Sequence, residues 1–319
     1  MIRTTAALLT AICLAGTAAA QETTLKAANA FAEGSYFARN FERFIKKVND
    51  EGKGILQIRY VGGPKAIPTF EIANALRTGV VDLANTTTSF TTGVVPEGVA
   101  LNYTHLSMAE MRRNGVFDYM NGIFQSKGLY YYARTAEGIQ FHVYSNKKID
   151  KADLSGLKLR IAPVYRDFFQ QLGASVVQTA PGEVYTALER GVVDGYGWPL
   201  IGIFDLGWQE KTKYRIEPGF YSVEAGVLFN ANSWKKLTPA QRKFLDKQRA
   251  WLESLNVDMG GEDAQAEVKR QREAGIEIVK LDDAQAKIFV KSAYDAAWNA
   301  IVAASPQHGA KLREMMAPK

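Results

Sequence analysis

The 319-residue sequence is poor in cysteine and histidine: it has one cysteine, Cys13, and three histidines, His105, His142 and His308. A disulfide framework needs paired cysteines, and a cysteine-rich zinc site needs several sulfur ligands. The three histidines lie far apart in the sequence and match no metal-ligand spacing. The sequence therefore predicts a fold held by its hydrophobic core, with no metal site and no cofactor. His142 lies in an apolar stretch, which favours a hydrogen-bonded strand or pocket residue over a metal ligand.

Motifs of common enzyme classes are also missing. The sequence has no G-x-x-x-x-G-K-[ST] phosphate loop, no G-x-G-x-x-G, no H-E-x-x-H and no G-x-S-x-G. We therefore expect a protein that is not an enzyme. A strong charge of one sign is absent too, because the formal net charge is +6 and basic and acidic residues are interleaved. Without a basic stripe, nucleic acid is not expected as a partner.

Residues 1–20 have the features of a secretory signal peptide. They combine an early positive charge, a short apolar stretch and an A-x-A end at Ala18 to Ala20, and this stretch is too short for a transmembrane helix. Cys13 follows Ile12, whereas a lipoprotein signal would place a small residue there. Cleavage before Gln21 would leave a mature chain without cysteine, which suits an oxidising compartment.

Two segments share the pattern E-[IV]-x-x-A-L-x-x-G-V-V-D, at residues 71–82 and 183–194. Each predicts a short amphipathic helix ended by a glycine, after which Val-Val begins a buried strand and the aspartate starts a loop. Strand candidates precede the two copies at residues 55–61 and 157–161. The pattern therefore predicts two βαβ units and two similar α/β lobes, with chance likeness of two common units as the alternative. Glu183 resembles an active-site acid, but the equivalent Glu71 favours a role at the helix start.

The C-terminal part is predicted to be mainly helical. Thr238 and Pro239 suit the start of a helix that runs towards residue 274, with a weak point at Gly260-Gly261. A short strand is predicted at 275–279 and a further helix from 282 to about 304, which could cross between lobes.

Several segments resemble the solute-binding proteins of TRAP (tripartite ATP-independent periplasmic) transporters. The central signature comprises K-A-D-L-S-G-L-K-L-R at 151–160, L-G-A at 172–174, E-V-Y-T-A-L at 183–188 and G-V-V-D-G at 191–195; further likeness occurs at 25–28, 41–54, 76–82 and 232–237. The resemblance implies an α/β, two-lobe periplasmic binding protein fold, with a ligand cleft between the lobes and a long C-terminal helix spanning both. It also implies a periplasmic, monomeric receptor that passes a small organic acid to membrane-embedded permease subunits.

The predicted lobes are discontinuous in sequence. Lobe I comprises residues 21–137 and about 224–263, and lobe II comprises residues 138–223 and about 264–319. The chain crosses between lobes more than once in this division, and the cleft would lie between them.

Arg160 ends the L-K-L-R motif, and the resemblance implies that it holds the substrate carboxylate. It sits where the predicted strand 157–161 ends, a position at which open α/β sheets bind ligands. A guanidinium presents a planar fork of donors that matches a carboxylate. The alternative from the residues alone is a surface ion pair with a nearby acid.

The resemblance also implies positions for the other pocket residues, and at two of them this sequence differs from the family's usual residues. Gln140 stands where many relatives carry a second arginine, and Trp198 where an acidic-amide pair is common. Other candidates fall near family pocket positions: Phe31, Tyr103, Phe220 and Tyr221. Thr87 and Thr88 follow the predicted strand at 80–85, where the first lobe would contribute polar contacts. A pocket with one arginine and several aromatics suits a small monocarboxylate with an aromatic or short branched body.

Other readings stay open at this point. Each aromatic residue alone could belong to the core. The protein could be a receptor for an uncharged or cationic solute, an ABC-type binding protein, or a secreted enzyme on the same scaffold.

Overall fold

The computed structural model describes residues 22–257 and 261–318, so the predicted signal peptide, Cys13 and Gly260 lie outside the described residues. The strands are β1 Thr23–Asn29, β2 Leu56–Gly62, β3 Leu83–Thr86, β4 Leu129–Ser145, β5 Lys158–Ile161, β6 Ser175–Gln178, β7 Gly195–Pro199, β8 Tyr214–Glu217, β9 Ser222–Asn230 and β10 Glu277–Lys280. The α-helices are α1 Tyr36–Glu51, α2 Ile72–Arg77, α3 Met108–Arg113, α4 Val116–Ser126, α5 Arg166–Gln171, α6 Val184–Glu189, α7 Ala231–Lys236, α8 Pro239–Val257, α9 Glu262–Glu273, α10 Asp283–Ala304 and α11 Gly309–Met316.

The strands form one ten-stranded sheet in the order β2-β1-β3-β9-β4-β7-β5-β6, with β8 paired to β4 and β10. Pairing is parallel among β1, β2 and β3, and again among β5, β6 and β7. We call the part around β1–β3 the first lobe and the part around β5–β7 the second lobe. The antiparallel pair β4 and β9 joins them. The prediction of a two-lobe α/β fold is confirmed; the predicted lobe boundaries remain a prediction.

Both copies of the repeated pattern form the predicted helices, α2 and α6, each followed by a left-handed glycine, Gly79 (φ 78°) and Gly191 (φ 67°). The prediction that Val-Val begins a buried strand is wrong, because Val80 and Val192 are 57% and 47% exposed and the strands begin later. Each exposed valine donates its backbone N–H back to the helix, at 2.9 Å in both copies, and so completes the helix end. The valine that follows in each copy is buried.

The aspartate that closes each copy was predicted to start a loop, and this is also wrong. Asp82 and Asp194 stand just before β3 and β7, and each carboxylate accepts a backbone N–H from the neighbouring strand. Asp82 accepts from Lys26 at 2.7 Å, and Asp194 accepts from Lys158 at 2.9 Å. The two aspartates therefore make the same contact at equivalent positions of the two copies. Chance similarity of the two segments would not by itself produce this match.

The C-terminal helices follow the prediction closely. Thr238 Oγ1 accepts the N–H of Gln241 at 3.2 Å, as expected for the residue before a helix start. Helix α10 contacts both lobes: the ring of Phe289 packs on Phe168 at 5.1 Å between centroids, and Tyr294 packs on Tyr103 at 5.4 Å. Among the helices of the described residues, none is both long and apolar enough to cross a membrane.

Candidate functional site

A small cavity lies between the lobes, with an empty volume of about 390 Å³ including its mouth. It is lined by Phe31, Phe37, Thr87, Ser89, Phe90, Asn102, Phe141, Arg160, Ala162, Tyr165, Trp198, Pro199, Val223, Glu224 and Ala225. Its residues come from β5, β7 and the turn after β5 in the second lobe, from α1 and the loops after β1 and β3 in the first, and from β4 and β9, which join the lobes. Open α/β sheets bind ligands beyond the carboxyl ends of their strands, and the cavity occupies this position. We call it the inner cavity.

Arg160 is fully buried in the wall of the inner cavity. Its Nε and Nη2 donate to the carbonyl oxygen of Thr179 at 3.0 and 2.8 Å, and its Nη1 donates to the hydroxyl of Tyr165 at 3.3 Å. None of the ion pairs found within the described residues includes Arg160. Burial lowers the pKa of Arg160 from its ordinary value, because the cost of desolvating its charge exceeds the opposing effects of Tyr165, Tyr221 and Glu183.

Trp198 lies on β7 and is buried beside Arg160, whose guanidinium carbon is 5.7 Å from the indole ring centre. Its ring packs edge-on against Phe37 of the first lobe at 6.3 Å between centroids. The indole Nε1 is buried and has no hydrogen-bond partner in the structure. Gly202 has φ of 108°, and a Cβ there would lie 3.3 Å from this nitrogen. Trp198 therefore closes one side of the cavity and keeps an unused donor.

Four aromatic residues that the sequence did not single out, Phe37, Phe90, Phe141 and Tyr165, also line the inner cavity, and Phe141 and Tyr165 lie side by side in its wall. The predicted Tyr221 lies behind them, stacked on Phe141 at 4.4 Å between centroids. Tyr103 packs on Tyr221 at 5.1 Å, and Phe220 packs on Tyr165 at 5.6 Å. The three predicted residues are therefore in the layer that supports the cavity wall.

The other predicted residues divide between the cavity and its surroundings. Phe31 and Thr87 line it, together with Arg160 and Trp198. Thr88 is buried beside it and holds an acidic side chain described below. Gln140 is exposed and donates to the hydroxyl of Ser222 at 2.9 Å. The ligand-binding roles of all nine residues remain predictions.

Glu224, on β9, is a cavity residue that the sequence reasoning missed. It is buried, and its carboxylate accepts the backbone N–H and the hydroxyl of Thr88, both at 2.8 Å, and the hydroxyl of Tyr131. Thr87 Oγ1 adds a longer contact of 3.4 Å. Burial and the charge of Glu224 raise the pKa of Tyr131 well above its ordinary value, so that hydroxyl keeps its proton and donates it. A lone acid in the otherwise apolar run V-E-A-G-V-L-F was a usable signal.

A larger pocket of about 1090 Å³ adjoins the inner cavity and shares Phe31, Phe37 and Trp198 with it. We call it the outer pocket. Asp205 of the second lobe lines it and accepts the backbone N–H of Tyr36, at the start of α1 in the first lobe, at 2.7 Å. Three aromatic rings therefore separate the inner cavity from the outer pocket, and a hydrogen bond joins the two lobes beside them.

His142 lies on β4 and donates from Nδ1 to the carbonyl oxygen of Ile216 at 3.0 Å, which confirms the prediction of a hydrogen-bonded strand residue. In the described residues there is no group of three or more His, Cys, Asp or Glu side chains that could hold a metal ion. Burial, followed by the nearby Arg215 charge, lowers the pKa of His142 from 6.5 to about 4.

This low pKa predicts that the protein loses stability as pH falls below 6.5. The unfolded chain takes up a proton at His142 near pH 6.5, whereas the folded protein does so only near pH 4. We expect a loss of about 1–2 kcal/mol of unfolding free energy between pH 7.5 and pH 5. The unfolding free energy of His142→Gln, measured with denaturant, should depend less on pH than that of the wild type. His105→Gln, an exposed control, should show the pH dependence of the wild type. Equal slopes for His142→Gln and the wild type would contradict this assignment.

Comparison with known proteins gives the family. The model of DctP, bacterial extracellular solute-binding protein family 7, matches residues 27–304. An uncharacterized protein of Sinorhizobium fredii is 31% identical over 180 residues, which are 54% of this chain and 33% of that protein. A Nostoc protein named monocarboxylate 2-oxoacid-binding periplasmic protein is 25% identical over 213 residues, 61% of this chain and 57% of that protein. The chain thus matches less than two thirds of the length of either.

A solved structure shares the fold. It is a TRAP periplasmic solute binding protein from Desulfovibrio salexigens with bound orotic acid, with a TM-score of 0.81 at 20% identity; the match covers 92% of this chain and 96% of that one. The chain therefore belongs to family 7 of the bacterial extracellular solute-binding proteins, and it shares its fold with a TRAP periplasmic solute binding protein.

Proposed function

We propose that the protein is a periplasmic receptor that captures a small monocarboxylate with an aromatic or short branched body. The observation that carries this proposal is Arg160, a buried cation in the cavity wall whose nearest partners are neutral. A buried charge without a counter-charge is costly, and a bound carboxylate would supply the missing one.

The contacts of Arg160 leave a suitable binding face. A guanidinium has five N–H donors, and the contacts to Thr179 and Tyr165 use three of them, on Nε, Nη2 and Nη1. One donor remains on each terminal nitrogen, and such a pair matches the two oxygens of a carboxylate. The Thr179 carbonyl fixes the plane of the guanidinium, so little side-chain entropy is lost when the ligand binds.

The rest of the inner cavity favours an apolar ligand body. Phe31, Phe37, Phe90 and Phe141 line it together with Trp198, and no second cation does so among the described residues. A cavity of this kind excludes water and buries apolar surface, but it satisfies few hydroxyl groups. The 2-oxoacid in the name of the Nostoc relative and the orotic acid bound by the Desulfovibrio protein are both monocarboxylates, in support of this class.

The predicted signal peptide, residues 1–20, supports export to the periplasm. There the protein would act as a monomer, close on its ligand by a hinge motion and deliver it to the permease subunits. N-terminal sequencing of the secreted protein tests the predicted cleavage before Gln21.

Thermal unfolding against a panel of small acids tests the ligand class. The panel contains aromatic acids, short branched 2-oxo and 2-hydroxy acids, sugar acids, and neutral and cationic controls. A ligand present at about 100 times its Kd stabilises the folded state by about 2.7 kcal/mol, which raises Tm by about 4 °C for a chain of this size. We expect such shifts from monocarboxylates. Shifts from amines alone would overturn the proposal, and shifts from sugar acids alone would show that the aromatic wall has been misread.

A further inference from the structure

The inner cavity carries two charged side chains of opposite sign. Of the described residues that line it, only Arg160 and Glu224 are charged. Arg160 belongs to β5 in the second lobe, whereas Glu224 lies on β9, where its carboxylate contacts Thr88 after β3 in the first lobe. The two side chains form no ion pair with each other within 4.0 Å and share no hydrogen-bond partner. They therefore approach the ligand space from different lobes.

The surroundings of Glu224 fit an ionised carboxylate. Its contacts, with Thr87, Thr88 and Tyr131, are all donated to it, and an ionised carboxylate can accept hydrogen bonds but cannot donate one. Arg134 is close enough to Glu224 for an electrostatic attraction between them, and it also forms an ion pair with Glu137. Two carboxylates and one guanidinium thus leave a net negative charge behind this wall.

We propose that Glu224 determines the specificity of the site by rejecting ligands with a second carboxylate. This inference rests on the proposed function, because it takes the first carboxylate to be bound by Arg160. Water is largely excluded from the inner cavity, so two like charges there are poorly screened. Like charges placed against each other cost several kcal/mol in buried interfaces. The end of the ligand that faces Glu224 must then be neutral.

Matched ligands separate charge from size. Malonate, succinate and glutarate are each compared with their monoamide and their monomethyl ester, at pH 8, where the diacids carry both charges. Calorimetric titration of the wild-type protein measures Kd for each. We expect the amides and esters to bind at least about 100-fold more tightly than the diacids of the same chain length.

Variants that remove the charge of one carboxylate show which residue causes the discrimination against diacids. Glu224→Gln should bind diacids and monoamides with Kd values within about threefold of each other. Glu97→Gln is the matched control, because Glu97 is as buried as Glu224 but does not line the inner cavity. We expect it to discriminate as the wild type does. If Glu224→Gln does not fold, Glu224→Leu combined with Tyr131→Phe replaces it, because the phenol that would lose its acceptor is then also removed.

The outcomes are distinguishable. Equal binding of diacids and monoamides by the wild type would overturn the role of Glu224 and leave the proposed function standing. Discrimination that persists in folded Glu224 variants would overturn it as well. Failure of every monocarboxylate to bind would instead remove the proposed function on which the inference rests.

Discussion

Replacing Arg160 by lysine is expected to raise the Kd for the bound monocarboxylate by about 100-fold, and replacing it by methionine by more. Lysine keeps the charge but cannot present two parallel donors or hold the Thr179 carbonyl at the same time. Removing one partner of a buried charged pair costs about 2–5 kcal/mol of binding free energy, and 100-fold is about 2.7 kcal/mol. Calorimetric titration with the ligand that the acid panel identifies is the measurement.

A second readout separates binding from folding. Arg160→Met removes a buried cation that has no carboxylate partner, so the unfolding free energy of the ligand-free protein should not fall. Arg166→Lys is the control, because Arg166 is nearby on α5 and pairs with Gln178 on the exposed side. Near-normal affinity in folded Arg160→Met would show that the carboxylate binds elsewhere.

The substitution Gly197→Ala is expected to have the second largest effect although it adds one methyl group. A Cβ at Gly197 would lie 2.8 and 2.9 Å from two ring carbons of Tyr165, closer than real contacts allow. Tyr165 cannot simply retreat, because it is buried against Phe169 and Tyr221. Overpacking of this kind costs about 1–3 kcal/mol of unfolding free energy.

Affinity should also fall in Gly197→Ala, by about tenfold or more. The Tyr165 hydroxyl donates to the Gly197 carbonyl at 3.0 Å and accepts from Arg160, so its displacement disturbs the orientation of the guanidinium. Gly122→Ala is the matched control, since a Cβ there meets nothing within 4 Å. Thermal unfolding and calorimetric titration measure the stability and the affinity of both variants. Equal stability and equal affinity in Gly197→Ala and Gly122→Ala would mean that Tyr165 moves freely.

The sequence predicted the framework of this molecule well because local signals determine it. Short segments were enough to predict the two helix-glycine patterns, the start of α8 after Thr238 and the strand that carries Arg160. The valines were misread because apolar β-branched residues favour strands, whereas the backbone N–H of Val80 and of Val192 completes a helix end. Such a contact depends on the turn that the glycine makes.

The candidate site was harder to predict because it is assembled from distant segments. Arg160 and Trp198 lie in or next to the signature, but Phe37 and Tyr165 line the cavity only because helices α1 and α5 start beside it. Tyr103 and Tyr221 are aromatic residues near the right positions, yet they lie one layer behind the surface. Sequence alone does not distinguish a wall from its support, since both are buried and apolar.

The continuity of β4 and β9 between the lobes has a mechanical consequence. Any rotation that opens the cleft must twist or bend a paired antiparallel ribbon instead of turning about a free linker. The ladder of this ribbon is irregular where the register shifts, between Tyr131 and Ala133, Arg134 and Ala136, and Glu137 and Gln140, and a strand bends most readily at such places. In the closure proposed above, the stiffness of this joint would set how much binding energy closure consumes. Substitutions at the three irregularities can therefore tune affinity without touching the ligand.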